Sequence, residues 1–306
     1  MRIYISVDME GCSGVLFREQ TNPMGYDYQT ARQLMTAEAD AAIRGAFEGG
    51  ATEVVVSDSH GGNGMRNFVL EALDPRAEVI IGSPRKLGQL EGLTGGFGAV
   101  LLVGYHTRHG AAGVLSHTTN GQAVANLWLN EQLVGEIGLN ARLAGHFGVP
   151  VTLVSGDDLT IAEAKAELPE IEGVVVKRAL GRYTARCLHP ERARELIRQG
   201  ATLAVRKAPE AKPFPAPRTG RDPWRPRRLW SEQPVGERPL PSSWPATAPT
   251  CCCGLAARRR RGNWRAPGRT GDGYPASAFR RICASRRPER RPQERTWSLS
   301  SCPLRA

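Results

Sequence analysis

The stretch Ile3-Tyr-Ile-Ser-Val-Asp8-Met-Glu10-Gly11 is an apolar run that stops at two carboxylates and a glycine. A short run rich in Val and Ile is typical of a parallel β-strand that is buried on both faces. Because successive side chains of a strand point to opposite sides, Asp8 and Glu10 share one side. The stretch therefore predicts a parallel sheet with two acidic groups at the end of one strand.

Three further runs end in the same way, each with a side chain that could bind a metal. They are Val54-Val-Val-Ser-Asp58-Ser-His60-Gly61, Val100-Leu-Leu-Val-Gly-Tyr-His106 and Leu133-Val-Gly-Glu136-Ile-Gly. In open α/β sheets the ligand lies outside the carboxyl ends of the strands. Carboxylates and imidazoles gathered at such an edge suit one or two divalent metal ions, and the histidines favour zinc.

Strands and helices alternate along residues 1–180. The predicted strands lie near 2–8, 52–57, 77–82, 99–105, 149–155 and 173–178. The predicted helices lie near 28–48, 66–73, 85–92, 136–147 and 159–168. Repeated βα units imply an α/β fold in which helices cover both faces of a parallel sheet, an αβα sandwich. A hairpin is predicted to interrupt this catalytic domain near 123–135.

Residues 181–213 are predicted to begin a second, smaller α+β domain that is truncated in this chain. A helix over 191–199 would stop at Gly200, and a strand over 201–205 would follow it. With no further domain to cover them, the apolar side chains of this segment are predicted to be exposed. They are Leu196, Ile197, Leu203 and Val205.

Charge divides the chain into two unlike parts. Residues 1–206 hold 19 Lys and Arg against 23 Asp and Glu, whereas residues 207–306 hold 22 against 7. The last part also holds five of the six Trp, five of the seven Cys and 16 of the 22 Pro. Averages over the whole chain therefore describe neither part.

Residues 214–306 are predicted to be a disordered, non-globular tail, because they show neither strand nor helix periodicity. Yet disordered regions are usually poor in aromatic residues, and this tail is not. Abundant Arg, Pro, Cys and Trp are what a GC-rich gene yields when it is read out of frame, so we interpret the tail as an out-of-frame product. The alternative is a genuine Arg-rich arm for nucleic acid or a membrane surface.

The first part has the composition of a cytoplasmic globular domain. Its apolar start is too short for a signal peptide and ends in carboxylates. No segment approaches the ~18 apolar residues of a membrane span. Only Cys12 and Cys187 lie in this part, which fits a reducing compartment. The sequence thus predicts a cytoplasmic protein that does not enter a membrane.

Motifs in a fixed order connect the chain with a known family. They are Ser6-Val-Asp8-Met-Glu10-Gly-Cys-Ser-Gly14, Ser57-Asp-Ser-His60-Gly-Gly62, Gly104-Tyr-His106, Leu115-Ser-His117-Thr, Gly135-Glu136-Ile-Gly-Leu-Asn140 and Gly181-Arg-Tyr183-Thr-Ala-Arg-Cys-Leu-His189-Pro190. Over residues 1–213 the chain resembles the zinc-dependent D-aminopeptidases of the dipeptide-operon type. The resemblance implies two zinc ions per subunit, a short peptide substrate with an N-terminal D-amino acid, and a ring-shaped, self-compartmentalising homo-oligomer.

The resemblance also implies a role for each residue of the site. Asp8 would bridge two zinc ions and Glu10 would complete the shell of one, while the other would be held by His60, His106 and Glu136. Two such ions polarise the scissile carbonyl and activate water. His117 matches a residue in a mobile loop that is proposed to be catalytic. We interpret it as a proton shuttle or an oxyanion stabiliser.

Each of these residues also has a plain structural interpretation. Asp8 and Glu10 could cap a turn, His60 could be a packed imidazole, and Glu136 could be a favourable charge at a helix start. Asp58 could hold His60 from behind the site or could form a turn. The metal site is favoured over these separate interpretations, because all of these side chains are predicted to lie at one edge of the sheet.

Two classes of function follow from the sequence. The first is a dinuclear zinc aminopeptidase that uses metal-activated water, either active or inactivated by truncation of its second domain. The second is a non-catalytic protein, either a peptide-binding accessory or a nucleic-acid-binding protein that uses the Arg-rich tail. Bridging carboxylates favour the first class, because a binding module has no use for them.

Overall fold

The computed structural model describes residues 1–215 of the 306-residue chain. The predicted tail, apart from its first two residues, lies outside the described residues. Within residues 1–215, no helix is both long and apolar enough to cross a membrane.

The structure contains a seven-stranded sheet, a separate hairpin and five α-helices over the described residues. The strands are β1 (Arg2–Val7), β2 (Glu53–Asp58), β3 (Glu78–Ile80), β4 (Ala99–Val103), β5 (Leu127–Leu129), β6 (Gln132–Val134), β7 (Val151–Asp157), β8 (Glu172–Gly181) and β9 (Thr184–Cys187). The helices are α1 (Arg18–Thr21), α2 (Tyr28–Glu48), α3 (Glu136–His146), α4 (Asp158–Glu167) and α5 (Pro190–Lys207).

The strand order of the large sheet is β3-β2-β1-β4-β7-β8-β9. All neighbouring strands are parallel except the last pair, in which β9 runs antiparallel to β8. From β1 the chain first builds outward to β2 and β3, and then returns to place β4 on the other side of β1. The strand order therefore reverses between β1 and β4, which is where open α/β sheets bind ligands.

Two apolar cores lie on the two faces of the sheet. Alternate residues of β1, Ile3 and Ile5 among them, pack in one core with α2 and α5. Tyr4 points the other way and packs in a second core with residues of α3 and α4. The predicted α/β fold, with a parallel sheet between two helical layers, is confirmed.

The predicted hairpin is also present. Strands β5 and β6 pair antiparallel, with Leu127 opposite Val134 and Leu129 opposite Gln132. The two residues between them, Asn130 and Glu131, both have positive φ angles, of 49° and 67°. Two such residues in succession are typical of the tight turn that joins strands with the natural twist.

Two predicted helices, over 66–73 and 85–92, are wrong. Each segment contains only a single 3₁₀ turn, Leu70–Ala72 and Gly88–Leu90. The side chain of Asp58 accepts hydrogen bonds from the backbone amides of Asn67 and Phe68. These contacts hold the start of the first segment against β2 in a non-helical path.

The predicted strand over 201–205 is wrong as well, because helix α5 continues through it to Lys207. Gly200, the predicted helix stop, is a packing residue inside the helix. A Cβ atom there would lie 2.5 Å from Cγ2 of Val174 on the sheet. The glycine lets the helix lie close to the sheet. A single sequence does not show whether a glycine ends a helix or allows such close packing.

Residues 181–213 pack against the seven-stranded sheet and against the core that contains α2. Strand β9 joins the sheet edge through β8, and α5 packs against α2. Ile197 and Val205 are fully buried, and Leu196 is partly buried against the same core, so the prediction that these three are exposed is wrong. Leu203 is 44% exposed, as predicted. The idea that this segment begins a second domain stays a prediction.

We expect Ile197→Ala to lower the free energy of unfolding by about 2–5 kcal/mol, because it leaves a cavity between α5 and α2. Leu203→Ala, on the exposed side of the same helix, should change it by about 0.5 kcal/mol or less. Urea unfolding followed by circular dichroism measures both. Equal effects of the two substitutions would contradict the packing of α5 described above.

Candidate metal centre

Five of the predicted ligands meet at the carboxyl edge of the sheet. They are Asp8, Glu10, His60, His106 and Glu136, and all are between 1% and 6% exposed. Asp8 and Glu10 lie one and three residues after β1, His60 lies two residues after β2, and His106 lies three residues after β4. Glu136 is the first residue of α3. The sheet and one helix therefore bring together side chains that are far apart in the sequence.

The ligand atoms form two groups. The Glu10 group consists of Asp8, Glu10 and His60, and the Glu136 group consists of His106, His117 and Glu136. Within each group one potential ligand atom per residue lies within 4.8 Å of the others. Such spacing fits a cation held between the side chains of each group.

Asp8 connects the two groups through its two carboxylate oxygens. Its Oδ1 lies 3.4 Å from Nδ1 of His60, and its Oδ2 lies 3.4 Å from Nε2 of His106. The backbone amide of Met9 donates to Oδ1 over 2.9 Å and helps to fix the carboxylate. Among the described residues of the two groups, Asp8 alone directs one oxygen to a histidine of each group.

His60 lies with Glu10, which differs from the arrangement expected from the sequence. Its Nδ1 is 3.0 Å from Oε2 of Glu10, and its Nε2 is 2.8 Å from the carbonyl oxygen of Thr21. A carbonyl only accepts, so Nε2 carries the hydrogen and Nδ1 faces the carboxylates. The expectation had placed His60 with His106 and Glu136.

His106 and His117 are oriented in the same way. Nδ1 of His106 donates to the carbonyl of Thr107 over 2.9 Å, and Nδ1 of His117 donates to that of Leu115 over 3.0 Å. The two rings stack with their centroids 4.1 Å apart. In both residues Nε2 is left to face Oε1 of Glu136, at 3.3 Å from His106 and 3.8 Å from His117.

These ring nitrogens fit a metal. A bare imidazole nitrogen and a carboxylate oxygen both carry lone pairs, so they attract each other only through a proton or a cation. Nε2 of His106 is buried and has no hydrogen-bond partner within residues 1–215. A backbone carbonyl that fixes one ring nitrogen while the other faces acidic oxygens is the usual setting of a metal-binding histidine.

Charges within the groups shift the pKa values of the buried residues. Burial raises the pKa of Glu10, but His60, His106 and His117 together outweigh burial and hold this pKa well below its usual value. Burial likewise raises the pKa of Glu136, but His106 and His117, with the backbone amide of Thr119, outweigh it and lower the pKa to about 2. Conversely, burial lowers the pKa values of His60 and His106, but the facing carboxylates raise both well above 6.5.

Glu136 is fixed by residues that the sequence analysis did not identify. Gln89 donates from Nε2 to Oε2 of Glu136 over 2.5 Å, and the amide of Thr119 donates to Oε1 over 2.8 Å. Asn140 donates to Oε1 of Gln89 over 2.7 Å, which sets the orientation of that amide. The motif that contains Asn140 was recognised, but nothing in the sequence distinguishes Gln89.

Asp58 does not contact the ring of His60 directly. Its carboxylate accepts hydrogen bonds from the backbone and side chain of Asn67, whose Nδ2 also donates to the carbonyl of His60 over 2.7 Å. Burial raises the pKa of Asp58. Support of His60 by Asp58, through Asn67, stays a prediction.

A cavity of about 870 Å³ opens over the two groups. Its lining includes Glu10, His60, His117 and Glu136, together with Lys86 near its rim. Its volume is within the range of sites that bind small molecules. The arrangement can therefore bring a small substrate against two cation sites.

Comparison with known proteins shows the family of the chain. The model of the D-aminopeptidase family matches residues 1–221. A D-aminopeptidase of Bacillus subtilis (strain 168) is 37% identical over 217 residues, which are 71% of this chain and 78% of the relative. The solved structure of the Zn-dependent D-aminopeptidase DppA from Bacillus subtilis, described as a self-compartmentalizing protease, matches with a TM-score of 0.68. It is 37% identical and the match covers 71% of this chain and 78% of that one.

The fold, the paired groups and these matches identify a metallopeptidase of the aminopeptidase class. The chain belongs to the D-aminopeptidase family. The resemblance deduced from the motifs of residues 1–213 is therefore confirmed.

Zinc affinity should rise with pH, because ligand histidines must be neutral. The facing carboxylates raise the pKa values of His60 and His106 in the metal-free protein, so zinc must compete with protons that are held more tightly than on a free imidazole. We expect affinity to keep rising with pH beyond the ordinary range of histidine titration. Competition with a coloured chelator measures this. A zinc affinity that levels off by about pH 7 would contradict the raised pKa values of the two histidines.

Proposed function

We propose that the chain is a dinuclear zinc aminopeptidase that hydrolyses short peptides bearing an N-terminal D-amino acid. The observation that carries this proposal is the position of Asp8 between two ligand groups, with one oxygen toward His60 and the other toward His106. A carboxylate placed in this way suits a bridge between two metal ions, and two-metal sites occur in aminopeptidases. The D configuration comes from the described activity of the relatives.

Under this proposal Glu10 and His60 hold one zinc ion, His106 and Glu136 hold the other, and Asp8 is shared between them. When bound, the two ions would supply Lewis-acid polarisation of the scissile carbonyl and activation of water. The residues themselves supply charge, orientation and proton transfer. His60 is assigned to the ion of Glu10, since its Nδ1 faces that carboxylate.

The carboxylates of Asp8, Glu10 and Glu136 lie among the residues that line the cavity. Under this proposal two zinc ions offset their negative charge, so the N-terminal amine of a peptide would approach in its neutral form, with its lone pair toward the cation sites. This contact would place the first residue of the peptide at the two groups. An exopeptidase needs this orientation, because it must distinguish the free end of a chain from its interior.

A second, smaller recess also reaches the site. It has a volume of about 230 Å³, includes Glu10 and His117 in its lining, and carries Arg18 and Arg182. Guanidinium groups pair well with carboxylates. The recess is thus suited to the part of a short peptide beyond the scissile bond, with its C-terminal carboxylate toward these arginines.

His117 is the proposed proton-transfer residue. Its Nδ1 donates to the carbonyl of Leu115, so its Nε2 is free to accept a proton from the attacking water and pass it to the leaving amine. Its side chain is 20% exposed, against 4% for that of Glu136, so it borders the cavity. The same nitrogen is close enough to Glu136 to ligate a metal, and the two roles predict different results.

We further propose that the chain assembles into a homo-oligomer, as the description of DppA as self-compartmentalizing suggests. Among the described residues, Met24, Tyr26, Trp128 and Leu180 are each at least 60% exposed. Contact with another copy of the chain would remove such apolar side chains from water. Sedimentation of the purified chain tests the assembly.

The purified 306-residue chain should bind about two zinc ions. Asp8→Ala should lose both, because it removes a ligand from each group, while Glu10→Ala should lose chiefly one. Elemental analysis after dialysis measures the stoichiometry, and Glu71→Ala at the exposed surface is the control. Loss of both ions from Glu10→Ala, equal to that from Asp8→Ala, would contradict the bridging role. Absence of zinc from the unaltered chain would overturn the site.

His117→Ala should retain both zinc ions and lose activity toward D-alanyl dipeptides by about 10²–10⁴-fold, the usual range for a positioned acid or base. His146→Ala removes an exposed imidazole at the far end of α3 and should leave activity unchanged. Loss of zinc from His117→Ala would make this residue a ligand. Unchanged turnover would show that His117 takes no part in the reaction. If the chain is not an enzyme, no variant and not the unaltered chain would hydrolyse a dipeptide.

A further inference from the structure

Lys177 is a buried cation close behind the candidate metal centre. It lies on β8 and is only 1% exposed. Its Nζ donates to the backbone carbonyls of Glu10 over 2.6 Å, Cys12 over 2.9 Å and Val15 over 2.7 Å. An ammonium group has three donors, and all three are used by the loop that follows β1.

The same loop is held from other sides by the backbone. The amide of Gly11 donates to the carbonyl of Gly104 over 2.8 Å, and a Cβ atom on Gly11 would lie 1.9 Å from the carbonyl oxygen of Tyr105. The amide of Ser13 donates to the buried carboxylate of Glu38 over 2.8 Å. The loop is thus pressed against the end of β4, and Lys177 ties it to β8 three strands away from β1.

A buried ammonium group is costly unless its hydrogen bonds are satisfied. Here the cost is offset by contacts with one loop, and that loop carries Glu10. Because Nζ binds the carbonyl of Glu10 itself, it fixes the backbone from which the carboxylate extends toward His60. It also places a positive charge behind a cluster of acidic side chains.

We propose that Lys177 is a positioning residue for the Glu10 group. This inference rests on the proposed two-zinc site and adds a residue that touches neither the metal nor the substrate. Its effect should be selective. Glu136 is carried by α3 and held by Gln89 and Thr119, so its position does not depend on the hydrogen bonds of Lys177.

Lys177→Met tests the proposal, because methionine has a similar length and no donor. Under conditions in which the unaltered chain binds two zinc ions, this variant should retain about one. Its affinity for the ion of the Glu10 group should fall by about 10–100-fold, as is usual for residues that support metal ligands. Lys177→Gln restores part of the donor capacity, so its zinc affinity should lie between that of the unaltered chain and that of Lys177→Met.

Two controls separate positioning from general effects. Lys165→Met removes an exposed positive charge from α4, and Ile197→Ala destabilises the core without touching the loop. Both should retain two zinc ions. Zinc stoichiometry, competition affinity and the visible spectrum of the Co²⁺-substituted proteins are the readouts, and circular dichroism reports folding. The spectrum should change in the Lys177 variants and remain unchanged in both controls.

Several results would overturn the assignment. If both Lys177 variants bind two zinc ions with unchanged affinity and spectrum, Lys177 does not position Glu10, while the two-zinc site stands. If both variants unfold and Ile197→Ala does not, Lys177 belongs to the fold and not to the site. If the unaltered chain binds no zinc, the proposed function and this inference both fail.

Discussion

Three carboxylates and three imidazoles share one buried edge of the sheet, and the electrostatics of this cluster constrain the whole site. Buried charges of like sign repel strongly, because little water is present to screen them. The imidazoles of His60 and His106 offset this repulsion only when a proton or a cation lies between them and the carboxylates. The same balance lowers the pKa values of Glu10 and Glu136 and raises those of the two histidines.

The topology of the sheet explains why the cluster forms at this place. The order of strands reverses between β1 and β4, and the chain segments that leave these two strands must separate there. Their separation opens a crevice, into which the ends of β1, β2 and β4 direct their side chains. Asp8 follows the central strand β1, and this position lets its two oxygens face both groups.

Much of this site could be predicted from the sequence, because it follows from the ends of buried strands. Apolar runs that stop at Asp8, His60 and His106 define the sheet and its active edge together. The remainder depends on contacts between distant segments. Neither the carbonyl of Thr21, which fixes the ring of His60, nor the contact between Gly200 and the sheet can be predicted from local periodicity.

The same limit applies to the wrongly predicted helices. Their sequences have a suitable composition, but the carboxylate of Asp58 binds the amides that would begin the first of them. A side chain that competes with the backbone in this way is a tertiary effect, and intrinsic propensity does not predict it.

The Glu10 group and the Glu136 group are supported by different physical means. Glu136 is the first residue of α3, where the helix macrodipole favours a negative charge, so its structural and functional interpretations are compatible. Glu10 lies in a loop and has no helix to stabilise it. The positive charge and the fixed backbone that α3 provides for Glu136 must come from elsewhere in the chain, and Lys177 is the buried group whose contacts meet both needs.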